Sequence, residues 1–176
     1  MTMQDNNLEN ARVGYQVAVN LWTYEGETLW SKFNAMLVAN GIFLAAISLF
    51  MTASNRPVFS ILLPCVMSSV GIILCVFWFL LTKRGFEYHD YWVFSAREIE
   101  RQYFKSLIQT VSRGERFADG QEVQFVGEKK ALKMSNLSWL VPAKCAAYVI
   151  IGLFIFLYLT ILIINATRLM GYFYVV

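Results

Sequence analysis

The chain has 176 residues, 57% of them hydrophobic and 15% charged, with a mean hydropathy of +0.49. That balance speaks against a soluble domain, and the length admits one domain with a modest extramembrane part. The formal charge of +3 is small. No duplex nucleic acid is expected as a partner, and the placement of the charges matters more than their sum.

Residues 1–10 are polar, with Asp5 and Glu9 and no basic run, so no cleavable signal peptide is expected. From Leu8 the pattern turns helical, with Leu8, Ala11, Tyr15, Ala18, Trp22 and Leu29 at steps of three, four or seven. Residues 1–32 are predicted as an amphipathic helix leading toward a first span. Packing on a helix bundle is favoured over lying on the inner leaflet, because its acids and bases balance and anionic lipid has little to attract.

Three apolar windows follow. Residues 33–54 and 57–82 are separated by Ser54-Asn55-Arg56-Pro57, and residues 140–167 form the third. No charge lies between Lys32 and Arg56, or between Arg56 and Lys83. Each window exceeds the roughly 20 residues that cross a bilayer as a helix. In hydrocarbon the backbone must satisfy its own hydrogen bonds, so all three are read as helices. Pro64 removes one such bond and predicts a kink in the second span.

Residues 83–138 are read as a helical segment with a short irregular part. Trp92, Ala96, Ile99, Tyr103 and Leu107 mark one face, the natural partner of the N-terminal helix. Arg113-Gly114 is expected to end the helix, and Asp119-Gly120 signals a tight turn, compatible with a short hairpin. The predicted fold class is therefore an all-α membrane protein. It has three transmembrane helices, an amphipathic N-terminal helix and a helical cytoplasmic segment between spans 2 and 3.

Ten bases fall between Lys83 and Lys133, whereas only Arg56 and Arg168 lie on the other side of the windows. The positive-inside rule places the N-terminus and the central segment in the cytoplasm and residues 168–176 outside. Trp30, Trp78 and Trp139 lie near the cytoplasmic ends of the spans, as an aromatic girdle would. Lys129, Lys130 and Lys133 suit anionic headgroups or a topology anchor.

The first span carries a stripe of Asn34, Val38, Gly41, Ala45, Ser48 and Thr52, and the second carries Ser60, Pro64, Ser68, Gly71 and Cys75. Small residues let helix backbones approach. An amide in hydrocarbon needs a partner, so Asn34 and Asn40 are expected to face another helix or water. Asn34, Asn40, Gly41, Ala45, Ser48, Ser68 and Gly71 are accordingly the candidates for a helix interface or pore lining. For sensing a ligand or partner, the candidates are His89, Trp92, Arg97, Arg101, Tyr103 and Lys105. Bases interleaved with aromatics can hold a nucleotide or oligonucleotide through phosphate contacts and stacking; eight acids in the same segment nearly cancel their charge.

Enzymatic patterns are sparse: no phosphate-cradling glycine loop, nucleophile elbow or HExxH is present. No catalytic residue, metal or cofactor is expected. Cys65, Cys75 and Cys145 match no metal spacing and read as packing residues. Arg84-x-x-x-x-His89 matches the short motif of HEPN-type ribonucleases over six residues, which leaves a ribonuclease as an outlying reading.

At Tyr88-His89-Asp90-Tyr91-Trp92, Ala96-Arg97-Glu98-Ile99-Glu100, Leu21-Trp22-Thr23-Tyr24-Glu25-Gly26, Trp30 and Phe33-Asn34, the chain resembles small multi-span bacterial inner-membrane proteins. Some of these resemble the membrane effectors of antiphage defence. The resemblance implies a homo-oligomer in the inner membrane, with a cytoplasmic part that receives a signal and spans that open a path for ions. The competing reading is a non-conducting membrane anchor that recruits a cytosolic partner protein.

Overall fold

A computed structural model describes residues 3–53, 57–104, 108–125, 127–128 and 130–175. Helix accounts for 88% of it. The elements are α1 (Met3–Ala53), α2 (Pro57–Ile99), a π-helical turn (Glu100–Phe104), α3 (Thr110–Ala118), α4 (Asn136–Leu140) and α5 (Ala143–Val175). No strand forms among the described residues. One antiparallel bridge joins Val123 and Leu132, with N–H···O distances of 2.8 and 2.9 Å. Three helices, α1, α2 and α5, are long and apolar enough to cross a membrane, so the fold is all-α and membrane-spanning.

The chain divides into two compact units. The first contains residues 1–29 and 84–145. Here α1 turns Ala11, Ala18 and Leu29 inward, and α2 turns in Phe86, Ala96 and the adjoining Glu100. Ala18, Ala96 and Val111 form a buried cluster with Tyr15, Val19, Trp22, Trp92 and Val93 packed around it. The π-helical turn explains one departure from the periodicity. An extra residue in a helical turn rotates everything after it. Phe104 therefore takes the inward position, edge-on to Tyr15 at 5.6 Å, and Tyr103 is left exposed.

Two boundaries differ from the sequence reading. Gly114 does not end a helix but lies inside α3. Asp119-Gly120 joins no strands. Instead, Gly120 takes φ +75° just past α3, and the N–H groups of Gly120 and Gln121 return to the carbonyls of Phe117 and Arg116 at 3.1 and 2.9 Å. This is a glycine-terminated helix end, which satisfies the last carbonyls locally.

The second unit contains residues 30–83 and 146–176 and holds the three apolar windows. Ile47, Trp78, Ile151 and Tyr158 are fully enclosed, as are Pro64, Cys75, Ser68, Asn40 and Asn165. Trp78 is no girdle residue: it is buried between Phe33 and Phe154, with ring centroids at 4.9 and 5.7 Å. A tryptophan that joins three helices in their core has no face left for the headgroups, whereas Trp30 and Trp139 stay exposed.

Candidate functional site

In the membrane-spanning unit the interface candidates separate into two groups. Asn40 faces α2 and α5. Its Nδ2–H donates to the carbonyl of Met36 at 2.8 Å, while its Oδ1 accepts from the Tyr158 hydroxyl at 3.1 Å and from the Cys75 thiol at 3.5 Å. The amide is thereby satisfied without water, as a polar group at this depth requires. Gly71 makes the arrangement possible: a Cβ there would stand 2.5 Å from Cε1 of Tyr158. Ser68, on the same face of α2, is fully buried, and its Oγ has no hydrogen-bond partner among the described residues.

Asn34, Gly41, Ala45 and Ser48 lie elsewhere, roughly 80–140° round α1 from Asn40 by helical geometry. All four are exposed in the protomer, and the space beside Gly41 is open. Ser48 and Thr52 return their hydroxyl protons to the carbonyls of Leu44 and Ser48 at 3.0 and 3.2 Å. Asn40, Ser68 and Gly71 thus hold the protomer together, and the other four candidates form part of its outer surface.

The sensing candidates are also dispersed. Trp92 packs on the Ala18–Ala96–Val111 cluster. His89 accepts at Nε2 from the indole N–H of Trp22, which packs it against α1. Arg97 pairs with Glu115 and lies over the Phe94 ring at 5.1 Å. Beside it Phe94, Arg97, Glu98, Arg101, Gln102 and Glu115 line a cavity of about 520 Å³. Two guanidinium groups and two carboxylates share that lining, and Gln102 donates to Glu98 at 3.1 Å, so it offers an anion no net charge. Arg101 and Tyr103 remain exposed. Lys105 lies outside the described residues. Arg84 and His89 are not brought together. Five residues apart on a helix they diverge by about 140°, and Arg84 lies over the Tyr88 ring at 5.4 Å. No group of three or more His, Cys, Asp or Glu side chains gathers among the described residues.

The sequence reading missed Glu100, which is buried to 1% exposure. Its Oε1 accepts from the Tyr15 hydroxyl at 2.9 Å and from Val111 N–H at 2.8 Å. Its Oε2 accepts from Ser112 N–H at 2.9 Å and from the Ser112 hydroxyl at 2.6 Å. One carboxylate therefore caps the start of α3, whose own N-cap residue, Gln109, does not cap it with its side chain. Burial pushes this carboxyl upward. The Ser112 hydroxyl, the two backbone N–H groups and Tyr15 outweigh burial and hold it below the usual glutamate value. Tyr15 moves the other way, up to about 12, through burial and the adjacent carboxylate. The available signal was Glu100's spacing, four residues after Ala96 and seven after Val93, on the apolar stripe.

No curated protein and no solved structure matches the chain. Residues 14–164 match the model of the Octameric membrane protein family (8xMP). That match covers most of both units, the first two spans and most of the third, and the chain therefore belongs to the octameric membrane protein family (8xMP).

Proposed function

We propose that the chain is one subunit of a homo-octameric pore that opens in response to a ligand or partner and discharges the membrane potential, as an effector of antiphage defence. Family membership and three apolar helices support a homo-oligomeric membrane protein. The observation that carries the pore reading is the outward stripe of Asn34, Gly41, Ala45 and Ser48 on α1, none of it needed to pack the protomer. Lipid gains nothing from an exposed amide, whereas a neighbouring subunit or a water-filled lumen can satisfy it. Eight copies would present eight such stripes. The resemblance to small bacterial inner-membrane proteins favours that membrane, and the charge distribution favours an orientation with the N-terminus and residues 83–138 in the cytoplasm and the C-terminus outside.

Gating requires two packings of the spans that differ in affinity for the trigger. Among the described residues, Arg101 and Tyr103, exposed at the π-helical turn, are the sensing candidates still open to a nucleotide, an oligonucleotide or a protein. The test is ion flux across liposomes containing the purified chain, with and without candidate nucleotides. Flux that rises with one trigger supports the reading. No flux under any trigger, with no toxicity on overexpression, overturns it.

A second reading, a non-conducting anchor for a cytosolic partner, is favoured by one feature. An apolar groove of about 530 Å³ runs along α3, lined by Ile108, Phe117, Val123, Phe125 and Leu132 among others. Partner co-purification without conductance would favour it. We propose no catalytic role: replacing Arg84 or His89 by Ala should leave no ribonuclease activity to lose.

A further inference from the structure

The stretch just ahead of the last span buries nothing in the protomer. Every residue from Ser135 to Cys145 is exposed. Leu137, Trp139, Leu140 and Val141 are 82, 54, 69 and 59% exposed. Single apolar residues on a surface are ordinary, but four within five positions call for a cover. The backbone there is regular all the same. Ser135 caps α4, its Oγ accepting from the Ser138 N–H at 3.3 Å and lying 2.8 Å from the Ser138 hydroxyl. A helix this short is not stable alone in water, and none of its residues is buried.

We propose that residues 137–141 lie in the headgroup layer of the bilayer, their apolar side chains against the acyl boundary, with Lys130 and Lys133 beside the phosphates of anionic phospholipid. Continuity with the span carries this furthest. Only Val141 and Pro142 separate α4 from α5, a helix long and apolar enough to cross the membrane. At about 3.6 Å per residue, Leu140 stands no more than about 11 Å from Ala143. The charge-free run from Cys145 to Thr167 makes about 34 Å of helix for a hydrocarbon core of about 30 Å, so it begins at the edge of that core. A soluble partner would have to reach down to this level to cover the patch, where lipid already is. The proposal holds whatever the number of subunits.

Trp139 and the local charges agree with it. A Cβ at Gly120 would stand 3.4 Å from Cδ1 of Trp139, so one edge of the indole rests on the glycine that closes α3, while more than half of the residue is exposed. An indole with one packed edge and one open edge suits the headgroup layer, and here it ties the end of α3 to the lipid surface. Residues 129–144 hold Lys129, Lys130, Lys133 and Lys144 and no acid. Three acids flank them. Asp90 pairs with Lys144 at 3.2 Å, Glu128 precedes the run and Asp119 precedes Gly120. Lys130 and Lys133 are exposed and, among the described residues, pair with no acid. Bases at this level attract anionic headgroups.

The test places a photoreactive benzophenone side chain at Leu137 or Leu140 of the full chain, reconstituted in vesicles of equal phosphatidylcholine and phosphatidylglycerol. The same probe at Val149 or Phe156, exposed on α5, serves as a lipid-facing reference, and at Asn10, near the start of α1, as a reference away from lipid. After irradiation, intact mass identifies lipid adducts and a denaturing gel shows any cross-linked copies. Phospholipid adducts at Leu137 and Leu140, absent at Asn10, are the expected result. Phosphatidylglycerol should exceed phosphatidylcholine among them by about threefold or more, and Lys130→Gln with Lys133→Gln should bring that ratio close to parity. Equal yields of the two lipids without those substitutions would overturn the phosphate contact. Protein dimers in place of lipid adducts would mean that a second copy covers the patch and would overturn the proposal. So would an equal lipid yield at Asn10, or no adduct at Leu137 and Leu140 while either α5 position still gives one.

Discussion

Tyr15 and Glu100 are 85 positions apart and share a 2.9 Å hydrogen bond that ties α1 to the junction of α2 and α3. The carboxylate at its centre accepts four donors and sits where α3 begins. Glu100→Gln keeps the shape but turns an amide N–H₂ toward one pair of those donors. Bonds to a buried charge are worth about 1.5–3 kcal/mol, so amide exchange at Val111 and Ser112 should accelerate about tenfold or more. Tyr15→Phe removes one donor of the four and should cost about 1 kcal/mol. Exchange measured by mass spectrometry in detergent checks both, and equal protection in Glu100→Gln would dismiss the cap.

The same pair sets opposite pH limits on the first unit. Glu100 titrates lower folded than unfolded, so its contribution is present above the unfolded value of about 4.3 and disappears as pH falls through the folded one. Tyr15 titrates higher folded than unfolded, at about 12 against 10.0. Its contribution is complete below the unfolded value and is lost as pH rises through the folded one. Tm measured against pH should therefore fall at both extremes. Glu100→Gln should flatten the acid side, and Tyr15→Phe the alkaline side.

Packing in the membrane-spanning unit turns on Gly71 and Tyr158. A methyl group at Gly71 would stand 2.5 Å from the ring, and ring and backbone cannot both hold their places. Overpacking of this kind typically costs about 1–3 kcal/mol. Gly71→Ala should lower the thermal midpoint in detergent, and adding Tyr158→Leu should recover part of the loss. Tyr158→Phe alone removes the hydroxyl from Asn40 and should cost about 0.6 kcal/mol, the average for such bonds between membrane helices.

The three spans were legible because absence of charge over more than twenty residues has one physical solution in a bilayer. The inward stripe of α1 was legible for a similar reason, since apolar spacing at three and four fixes a face. What the chain did not disclose is which of several plausible faces is used inside the protomer and which outside. Asn34 and Asn40 look alike as residues, yet one is exposed and the other is satisfied by Tyr158, a partner 118 positions away. Tyr103 and Phe104 exchanged roles because a π-helical turn added a residue that no 3.6-residue pattern anticipates. Glu100 hid in plain sight, as a charge on a core stripe is discounted until its donors are seen.

That difference between the two asparagines separates folding from function in one experiment. Asn40→Leu strips Cys75 of its acceptor, leaves the Tyr158 hydroxyl only the backbone carbonyl of residue 40 at 3.3 Å, and places a branched side chain in a filled interior. Its cost should be about 1–3 kcal/mol, read as a lower thermal midpoint in detergent. Asn34→Leu changes an exposed position of the protomer, so its midpoint should stay within about 0.5 kcal/mol of the native value. If the outward stripe lines a path for ions, Asn34→Leu should instead alter flux in liposomes, because eight apolar side chains replace eight amides along the lumen and favour dewetting. Unchanged flux together with unchanged octamer content in Asn34→Leu would remove this residue from both the lumen and the contacts between subunits.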